Sequence, residues 1–355
     1  MAVKLANQEL TLLRVVAQRL AGPRWATPLE AVRHLGAVQA QDLPGAFTSV
    51  ALRVDGGRSA DVRAALQDAQ LVRTWPMRGT LHLVPAEDAG WMMAITGDRI
   101  ESGLRTRLTE RGIDDAALDT AAAVAAEVLA DGQALTRAAL MEHWVAAGLP
   151  AQRRTALFVL HVLCGAGQLV LGPMAGTEQQ VVHLPDWVPD ARSLDAEEGL
   201  TEWVRRYALS HGPVTDRDTA RWLGLPLGRV RPALARAEGL EQVIIDGLTH
   251  YLDPAVPDLL AEHRRDARRL MLLPGFDELM LGYGDRTFAV PPAHLHRLVP
   301  GGNGIFRATV VKAGRVIGLW RRAGTPSQPT IDPDPFTSWG PRTHAGVQLA
   351  FERLP

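Results

Sequence analysis

Apolar and polar positions in the first 250 residues follow two alternating patterns, and the alternation occurs three times. Apolar residues first recur every three or four positions, as on the buried face of a helix. Two short β-branched or leucine-rich runs separated by a turn then follow, which predicts a hairpin. These hairpins are predicted near residues 71–84, 169–184 and 243–252. Helices followed by a hairpin are typical of a winged helix, so the pattern predicts three tandem winged helix-turn-helix units.

Capping residues support this interpretation at the start of the second helices. Thr27, followed by proline and glutamate, is a typical helix start in the first copy. Thr136 and Thr215 hold the corresponding place before a helix in the other two copies. A Gly-Leu-Pro sequence at 148–150 and again at 224–226 then predicts a break before the third helix. The shared order indicates an internal repeat.

The last ninety residues differ in kind from the repeats. Strand-like runs at 270–273, 306–311 and 316–320 are separated by loops rich in glycine and proline. They predict a small β-rich C-terminal module with a hairpin over 310–316. The predicted fold class is α+β, mainly α, with three winged helix-turn-helix units and this module. The predicted domains are 1–113, 114–192, 193–262 and 263–355.

Composition narrows the class of protein. The chain has 355 residues, 46% hydrophobic content and a net charge of −1. It has no run of eighteen apolar residues, and residues 1–5 lack a signal-peptide core, so we expect a cytoplasmic protein that does not enter the membrane. Cys164 is the single cysteine, which excludes a disulfide framework and a cysteine zinc cluster. Arginine supplies nearly all of the positive charge, which permits phosphate binding without requiring it.

Several enzyme classes lack their motifs in this sequence. The glycine-rich runs have neither the strand-then-helix context nor the lysine of a phosphate loop, and the nucleophile elbow and zinc-protease motifs do not occur. His294 and His296 lie two residues apart, but a zinc site needs three or four converging ligands. We therefore expect no metal and no cofactor.

Gln39-Ala40-Gln41 is the strongest candidate for chemistry in the first repeat. The triplet is predicted in the turn between two helices, near the positive end of the second. Side chains at i and i+2 face the same way, so both amides could address one substrate. The alternative is that turns are polar and glutamine is common, and the triplet alone does not decide between the two.

Tandem winged helices fit nucleic acid, because one helix enters a groove while hairpins contact the backbone. Arginines at or near the second and third predicted helices are candidate phosphate contacts, although each could equally be a solvated surface charge. These candidates are Arg153, Arg154, Arg217, Arg221, Arg229 and Arg231.

Four segments together resemble the AlkZ/YcaQ-type bacterial DNA glycosylases, and the resemblance covers almost the whole chain. They are residues 39–41, 77–84, 273–286 and 300–307. The resemblance implies three winged helices and a β-rich part curved around duplex DNA. It implies excision of N-alkylated purines, and some relatives unhook interstrand crosslinks. The catalytic motif is Gln-aliphatic-Gln in the AlkZ branch and Gln-aliphatic-Asp in the YcaQ branch, and Gln39 and Gln41 match the former.

This activity is chemically consistent with two neutral amides. A purine alkylated at N7 or N3 is cationic, so its departure needs little help from a general acid. The amide oxygens of Gln39 and Gln41 can hold the attacking water and stabilise the cationic sugar. The motif provides no lysine for a Schiff base, so we expect a monofunctional DNA glycosylase that leaves an abasic site.

The resemblance extends the predicted DNA-contact residues. Arg78 and His82 lie in the shared segment 77–84, while Lys312 and Arg315 lie near the tip of the hairpin over 310–316, which we expect to probe the minor groove. The expected partner is double-stranded DNA carrying alkylated purines, bound by a monomer. The alternatives are a non-catalytic winged-helix transcription regulator and a resistance protein that sequesters a toxin or its adduct. Release of a base would distinguish the glycosylase from both.

Overall fold

The computed structural model describes residues 2–3, 6–325 and 327–355, and the side chains of these residues except 2–3 and 98–102. Residues 1, 4 and 5, which belong to the segment expected to lack a signal peptide, lie outside the described residues. Contacts divide the chain into two compact units. Unit 1 comprises Met1–Asp61 and Trp203–Pro355, and unit 2 comprises Val62–Glu202. This division is coarser than the four predicted domain ranges, which stay a prediction.

Helices account for most of the regular structure. The α-helices in the described part of the chain are α1 (Asn7–Ala17), α2 (Pro28–Leu35), α3 (Leu43–Ala51), α4 (Ser59–Gln67), α5 (Ala89–Thr109), α6 (Asp115–Val128), α7 (Arg137–Ala146), α8 (Arg153–Gly165), α9 (Leu184–Trp187), α10 (Ala196–His211), α11 (Asp216–Leu223), α12 (Leu227–Arg236), α13 (Val256–Ala267), α14 (Glu278–Leu281), α15 (Leu295–Leu298) and α16 (Pro341–Glu352). Among the described residues, no helix combines the length and apolar content that a membrane span requires.

The strands are short, and most of them pair as hairpins. They are β1 (Ala2–Val3), β2 (Val38–Gln39), β3 (Leu71–Met77), β4 (Thr80–Pro85), β5 (Ala134–Leu135), β6 (Leu169–Ala175), β7 (Glu178–His183), β8 (Glu241–Ile245), β9 (Leu248–Leu252), β10 (Leu270–Leu273), β11 (Thr309–Lys312), β12 (Arg315–Thr325) and β13 (Gln328–Pro335).

The order helix, helix, helix, hairpin occurs three times along the chain, as predicted. The copies are α2–α4 with β3 and β4, α6–α8 with β6 and β7, and α10–α12 with β8 and β9. Thr27, Thr136 and Thr215 are the N-caps of α2, α7 and α11, and each side chain accepts a backbone N–H from three residues on. The α+β, mainly α fold class with three winged units is confirmed.

Unit 2 is organised around a sheet in which β4, β3, β6, β7 and β5 are neighbours in that order. The two hairpins are joined by an antiparallel bridge between Arg73 and Leu171. Apolar side chains from α6, α7 and α8 form its core, with Trp144 nearly fully buried and its indole N–H donating to the Ala121 carbonyl at 2.9 Å. The core therefore fixes the helices of the second winged unit on their hairpin.

The C-terminal module of unit 1 is an antiparallel sheet in the order β10-β11-β12-β13, which confirms the predicted β-rich part. Its core joins Leu272 and Val310 to Val347 and Phe351 of α16. The predicted hairpin over 310–316 is also present, formed by β11 and β12. Its turn residue Ala313 has a positive φ of 50°.

Candidate active site

Gln39-Ala40-Gln41 lies between α2 and α3 in unit 1, as the sequence predicts. Gln39 ends β2, and α3 begins two residues after Gln41. Ala40 is fully buried, whereas Gln39 is 5% exposed and Gln41 is exposed. Asp42 caps α3 by accepting the Gly45 N–H at 3.3 Å. The motif therefore crosses from the core to the surface at the start of a capped helix.

The two amides of the motif are joined to each other. Gln39 Nε2 donates to Gln41 Oε1 at 3.0 Å. Gln39 Oε1 is buried and has no hydrogen-bond partner among the described residues. A buried carbonyl oxygen that lacks a donor is costly, and such groups in proteins commonly mark a functional site or a water position. The Gln39 side chain is therefore held by Gln41 through its Nε2, while its Oε1 keeps an unused acceptor position among the described residues.

The backbone of Gln39 is held by Glu278, the first residue of α14. The Gln39 N–H donates to Glu278 Oε1 over 3.4 Å. Glu278 Oε2 accepts from Trp222 Nε1 at 3.0 Å and lies 3.3 Å from His211 Nε2. Glu278 is fully buried. The segment 273–286, whose role the sequence leaves open, thus contacts the candidate motif directly.

Asp277, next to Glu278, anchors α3 from the same segment. It accepts from Ser49 Oγ at 2.6 Å and forms a two-point ion pair with Arg53, at 2.9 and 3.1 Å. Burial by itself raises the pKa of Asp277, but the charge and hydrogen bonds of Arg53 outweigh it, and the pKa lies below its usual value. Arg53 also donates to Gln18 Oε1 at 2.7 Å. The helix that follows the motif is therefore fixed by a buried network.

Aromatic rings surround the Glu278 carboxylate. The Tyr207 ring stacks on His211 and on Trp222, with centroids 4.6 and 4.7 Å apart. The Tyr283 hydroxyl donates to the His211 carbonyl at 2.9 Å. Burial lowers the pKa of His211 despite the hydrogen bond with Glu278, so the imidazole is neutral at pH 7. The carboxylate is therefore enclosed by fully buried side chains.

The predicted arginine contacts lie on the surface of both units. Arg153 and Arg154 are exposed at the start of α8 in unit 2. Arg229 and Arg231 are exposed on α12 in unit 1, where Arg231 pairs with Asp216 at 2.7 Å. Exposed guanidinium groups near the starts of third helices have the geometry of phosphate contacts, and DNA binding by them stays a prediction.

Arg78 and His82 occupy the β3–β4 turn of unit 2 in different ways. Arg78 has a positive φ of 54° and is partly exposed, whereas His82 is fully buried. Arg78 Nη2 lies 3.1 Å from His82 Nε2, and His82 Nδ1 lies 2.8 Å from the Thr80 carbonyl oxygen. His82 therefore contacts the Arg78 side chain from a buried position and does not face solvent, as a direct DNA contact would.

The hairpin over 310–316 does not project as a groove probe, contrary to the expectation from sequence. Gln8 of α1 donates to the Ala313 carbonyl at 2.6 Å, and a Cβ on Gly314 would lie 3.1 Å from the Gln8 carbonyl oxygen. The glycine lets the turn pack directly on α1. Lys312 and Arg315 remain exposed beside the turn, with Lys312 Nζ 3.1 Å from Thr343 Oγ1. The longer pairing of β12 with β13 runs to Thr325 and Gln328, at the opposite end of β12, and carries the exposed Arg321 and Arg322.

Comparison with known proteins gives concordant matches. The family described as "DNA glycosylase AlkZ-like" matches residues 32–355. A curated protein of Streptomyces sahachiroi, the "Interstrand DNA cross-link repair glycosylase", is 28% identical over 314 residues, which are 82% of this chain and 81% of the relative. The solved structure of "Streptomyces sahachiroi DNA glycosylase AlkZ" superposes with a TM-score of 0.79 at 25% identity, covering 99% of both chains.

Proposed function

Since the chain belongs to the AlkZ-like DNA glycosylase family and is a DNA repair enzyme of that class, we propose that it hydrolyses the N-glycosidic bond of N7- or N3-alkylated purines. We further propose that it works as a monofunctional enzyme on duplex DNA. The observation that carries the proposal is the buried Gln39 Oε1, which lacks a donor among the described residues and lies beside the exposed Gln41.

The two glutamines have different tasks in this mechanism. Gln41 accepts the Gln39 amide N–H, which fixes the Gln39 carbonyl oxygen in one orientation. That oxygen accepts a hydrogen bond from the attacking water and presents partial negative charge to the sugar. As the cationic base departs, the sugar becomes oxocarbenium-like, and a dipole oriented in advance stabilises it without reorganisation. Water then adds to the sugar, and an abasic site remains.

The basic side chains supply most of the affinity for DNA in this proposal. Phosphate contacts dominate affinity and depend on salt, whereas the glutamines act on the reacting nucleotide. Arg78 in unit 2 and the exposed arginines at the third helices are the proposed contacts, together with Lys312 and Arg315. We propose that the protein acts as a monomer in the cytoplasm.

Bulky adducts and interstrand crosslinks are the proposed finer specificity. The curated relative is named as a crosslink repair glycosylase, and Gln41 is exposed in this chain. A crosslinked base cannot be extruded fully into a closed pocket, so an exposed motif suits it.

The direct test is release of 7-methylguanine from a duplex that carries one such lesion, with hot alkali revealing the abasic site. Gln39→Ala and Gln41→Ala should abolish release while DNA affinity and thermal midpoint stay near those of the wild type. Gln348→Ala, an exposed glutamine on α16, is the matched control and should retain full activity.

The same assay separates the alternatives. Tight lesion binding without release from a panel of N7 and N3 adducts would support sequestration. Sequence-specific binding to undamaged DNA without release would support a transcription regulator. Equal losses of activity and thermal midpoint in both glutamine variants would contradict their catalytic assignment.

A further inference from the structure

We infer that Glu278 is a positioning residue that fixes the Gln39 peptide and places its carboxylate behind the catalytic motif, where it favours a cationic sugar. The inference rests on the proposed function and assigns to Glu278 a task in the same reaction. Glu278 belongs to a segment 239 residues away from Gln39, yet it contacts the Gln39 backbone directly.

The hydrogen bonds of Glu278 are the basis on which we assign it the ionised form. Its Oε1 accepts from the Gln39 amide and its Oε2 from the Trp222 indole, while His211 Nε2 lies 3.3 Å from Oε2. Trp222 Nε1 and a backbone amide can only donate. Each carboxylate oxygen therefore faces a group that can only donate, and hydrogen bonds of this kind stabilise the charged form.

His211 borders the same carboxylate as a neutral ring. Its Nε2 lies 3.3 Å from Glu278 Oε2, and its Nδ1 lies 2.8 Å from Ser210 Oγ. Burial keeps the pKa of His211 below its ordinary value, so the ring carries no charge at pH 7. Glu278 and His211 are both fully buried.

Close packing keeps the carboxylate in this place. A Cβ on Gly282 would lie 2.7 Å from both the Glu278 carbonyl oxygen and His211 Cδ2, so only glycine permits the ring and α14 to approach this closely. The Tyr207 hydroxyl donates to the Gly282 carbonyl at 2.7 Å and ties the end of α14 to α10. The position of Glu278 is thus determined from several sides.

Two consequences follow for the reaction. The fixed Gln39 peptide restricts where the Gln39 side chain begins, and this improves the alignment of its carbonyl oxygen with the water. The carboxylate also adds negative potential in a poorly solvated region, where a developing positive charge on the sugar is stabilised more than it would be in water. In the ground state the positive charge lies on the alkylated purine, and it develops on the sugar only as the glycosidic bond breaks, so we expect the effect in the rate and not in lesion affinity.

The test compares wild type with Glu278→Gln, which keeps the shape and removes the charge. We expect single-turnover release of 7-methylguanine to slow by about 10-fold or more, with unchanged affinity for the lesion duplex. A second measurement uses duplexes in which the target nucleotide is replaced by a protonated pyrrolidine ring or by a neutral tetrahydrofuran ring. Wild type should prefer the charged ring, and Glu278→Gln should show a weaker preference, a change that a structural role would not produce.

The matched control is Asp88→Asn in unit 2. Asp88 is also a fully buried carboxylate that accepts a tryptophan N–H, from Trp91 at 2.9 Å, but it lies outside the site. It should lose stability while its rate and ring preference match those of wild type.

Each result decides one question. If wild type releases base and folded Glu278→Gln retains the wild-type rate or the full wild-type ring preference, the inference about Glu278 is overturned and the proposed function stands. If wild type releases no base, the proposed function fails and the inference falls with it. Should Glu278→Gln not fold, Glu278→Asp replaces it: the shorter carboxylate should slow release and keep the ring preference, and a wild-type rate overturns the inference.

Discussion

Arg53 and Asp277 form a two-point ion pair in which both side chains are almost fully buried, with N–O distances of 2.9 and 3.1 Å. Asp277→Ala leaves the Arg53 charge buried without its carboxylate. Removing one partner of a buried pair costs about 3–5 kcal/mol. We expect a loss of this size in the unfolding free energy, measured by chemical denaturation.

The control for this prediction is Arg58→Ala, which breaks the exposed pair with Asp61 but keeps the hydrogen bond from the residue 58 N–H to Asp61; the Arg58 side chain is 75% exposed. Exposed pairs contribute little, so this variant should unfold at the wild-type denaturant concentration. Similar losses in the two variants would show that the buried pair has no special importance.

Gln41→Glu should retain more activity than Gln41→Ala. A carboxylate at this position still accepts the Gln39 amide N–H, now 3.0 Å from Gln41 Oε1, and adds negative charge beside the reacting sugar. The alanine variant loses the acceptor and lets the Gln39 amide rotate. Single-turnover rates on the 7-methylguanine duplex measure the difference, and a glutamate variant as inactive as alanine would show that the neutral amide itself is required.

Asp42→Ala should weaken the start of α3 and slow base release. The loss of an N-cap costs about 1 kcal/mol. Here the cap follows Gln41 directly, so fraying of α3 disturbs the motif. Thr136→Ala is the matched control, because Thr136 caps α7 of unit 2 by accepting the Ala139 N–H at 3.2 Å. Both variants should lose comparable stability in a thermal melt, and only Asp42→Ala should lose rate.

His34 should make the fold sensitive to acid. Burial lowers its pKa to about 4 from a model-peptide value of 6.5, although Nε2 bonds the Ala17 carbonyl at 2.8 Å. Between these two values the unfolded chain binds the proton and the folded chain does not, so stability falls as pH is lowered from about 6.5 to 4.

His34→Gln tests this prediction, because glutamine can donate to the Ala17 carbonyl but does not titrate. The thermal midpoint of the variant should depend less on pH in that window than the midpoint of wild type. Identical slopes would assign the acid sensitivity to other groups.

Sequence predicted the parts of the fold whose signals are local. The three threonine caps and the periodic helices gave the winged units, and the Gln39-Ala40-Gln41 turn was placed correctly because both neighbouring helices have clear starts. The α5 helix was missed, since three glycines interrupt its pattern. Strand β13 was missed because Pro329, Pro333 and Pro335 argue against a strand, and they are tolerated here because β13 is an edge strand.

The site was predicted only in part, for a related reason. The motif itself is contiguous and carries a family resemblance. Its support comes from Glu278 and His211, which no periodicity or spacing connects to Gln39. In sequence, the glutamate that begins the short helix α14 cannot be told from an ordinary surface charge, because its donors come from distant parts of the chain. The burial of His82 and the packed tip at Gly314 likewise depend on tertiary contacts.

The separation between Gln39 and Glu278 has a consequence for how the enzyme is made. The two residues lie 239 positions apart, and the whole of unit 2 is translated between them. Because the chain is synthesised from its N-terminus, the Gln39 N–H lacks the Glu278 carboxylate as a hydrogen-bond partner until residue 278 has been translated. From the roles proposed for Gln39 and Glu278, we expect a nascent or truncated chain that ends before residue 278 to lack an assembled site and to release base poorly.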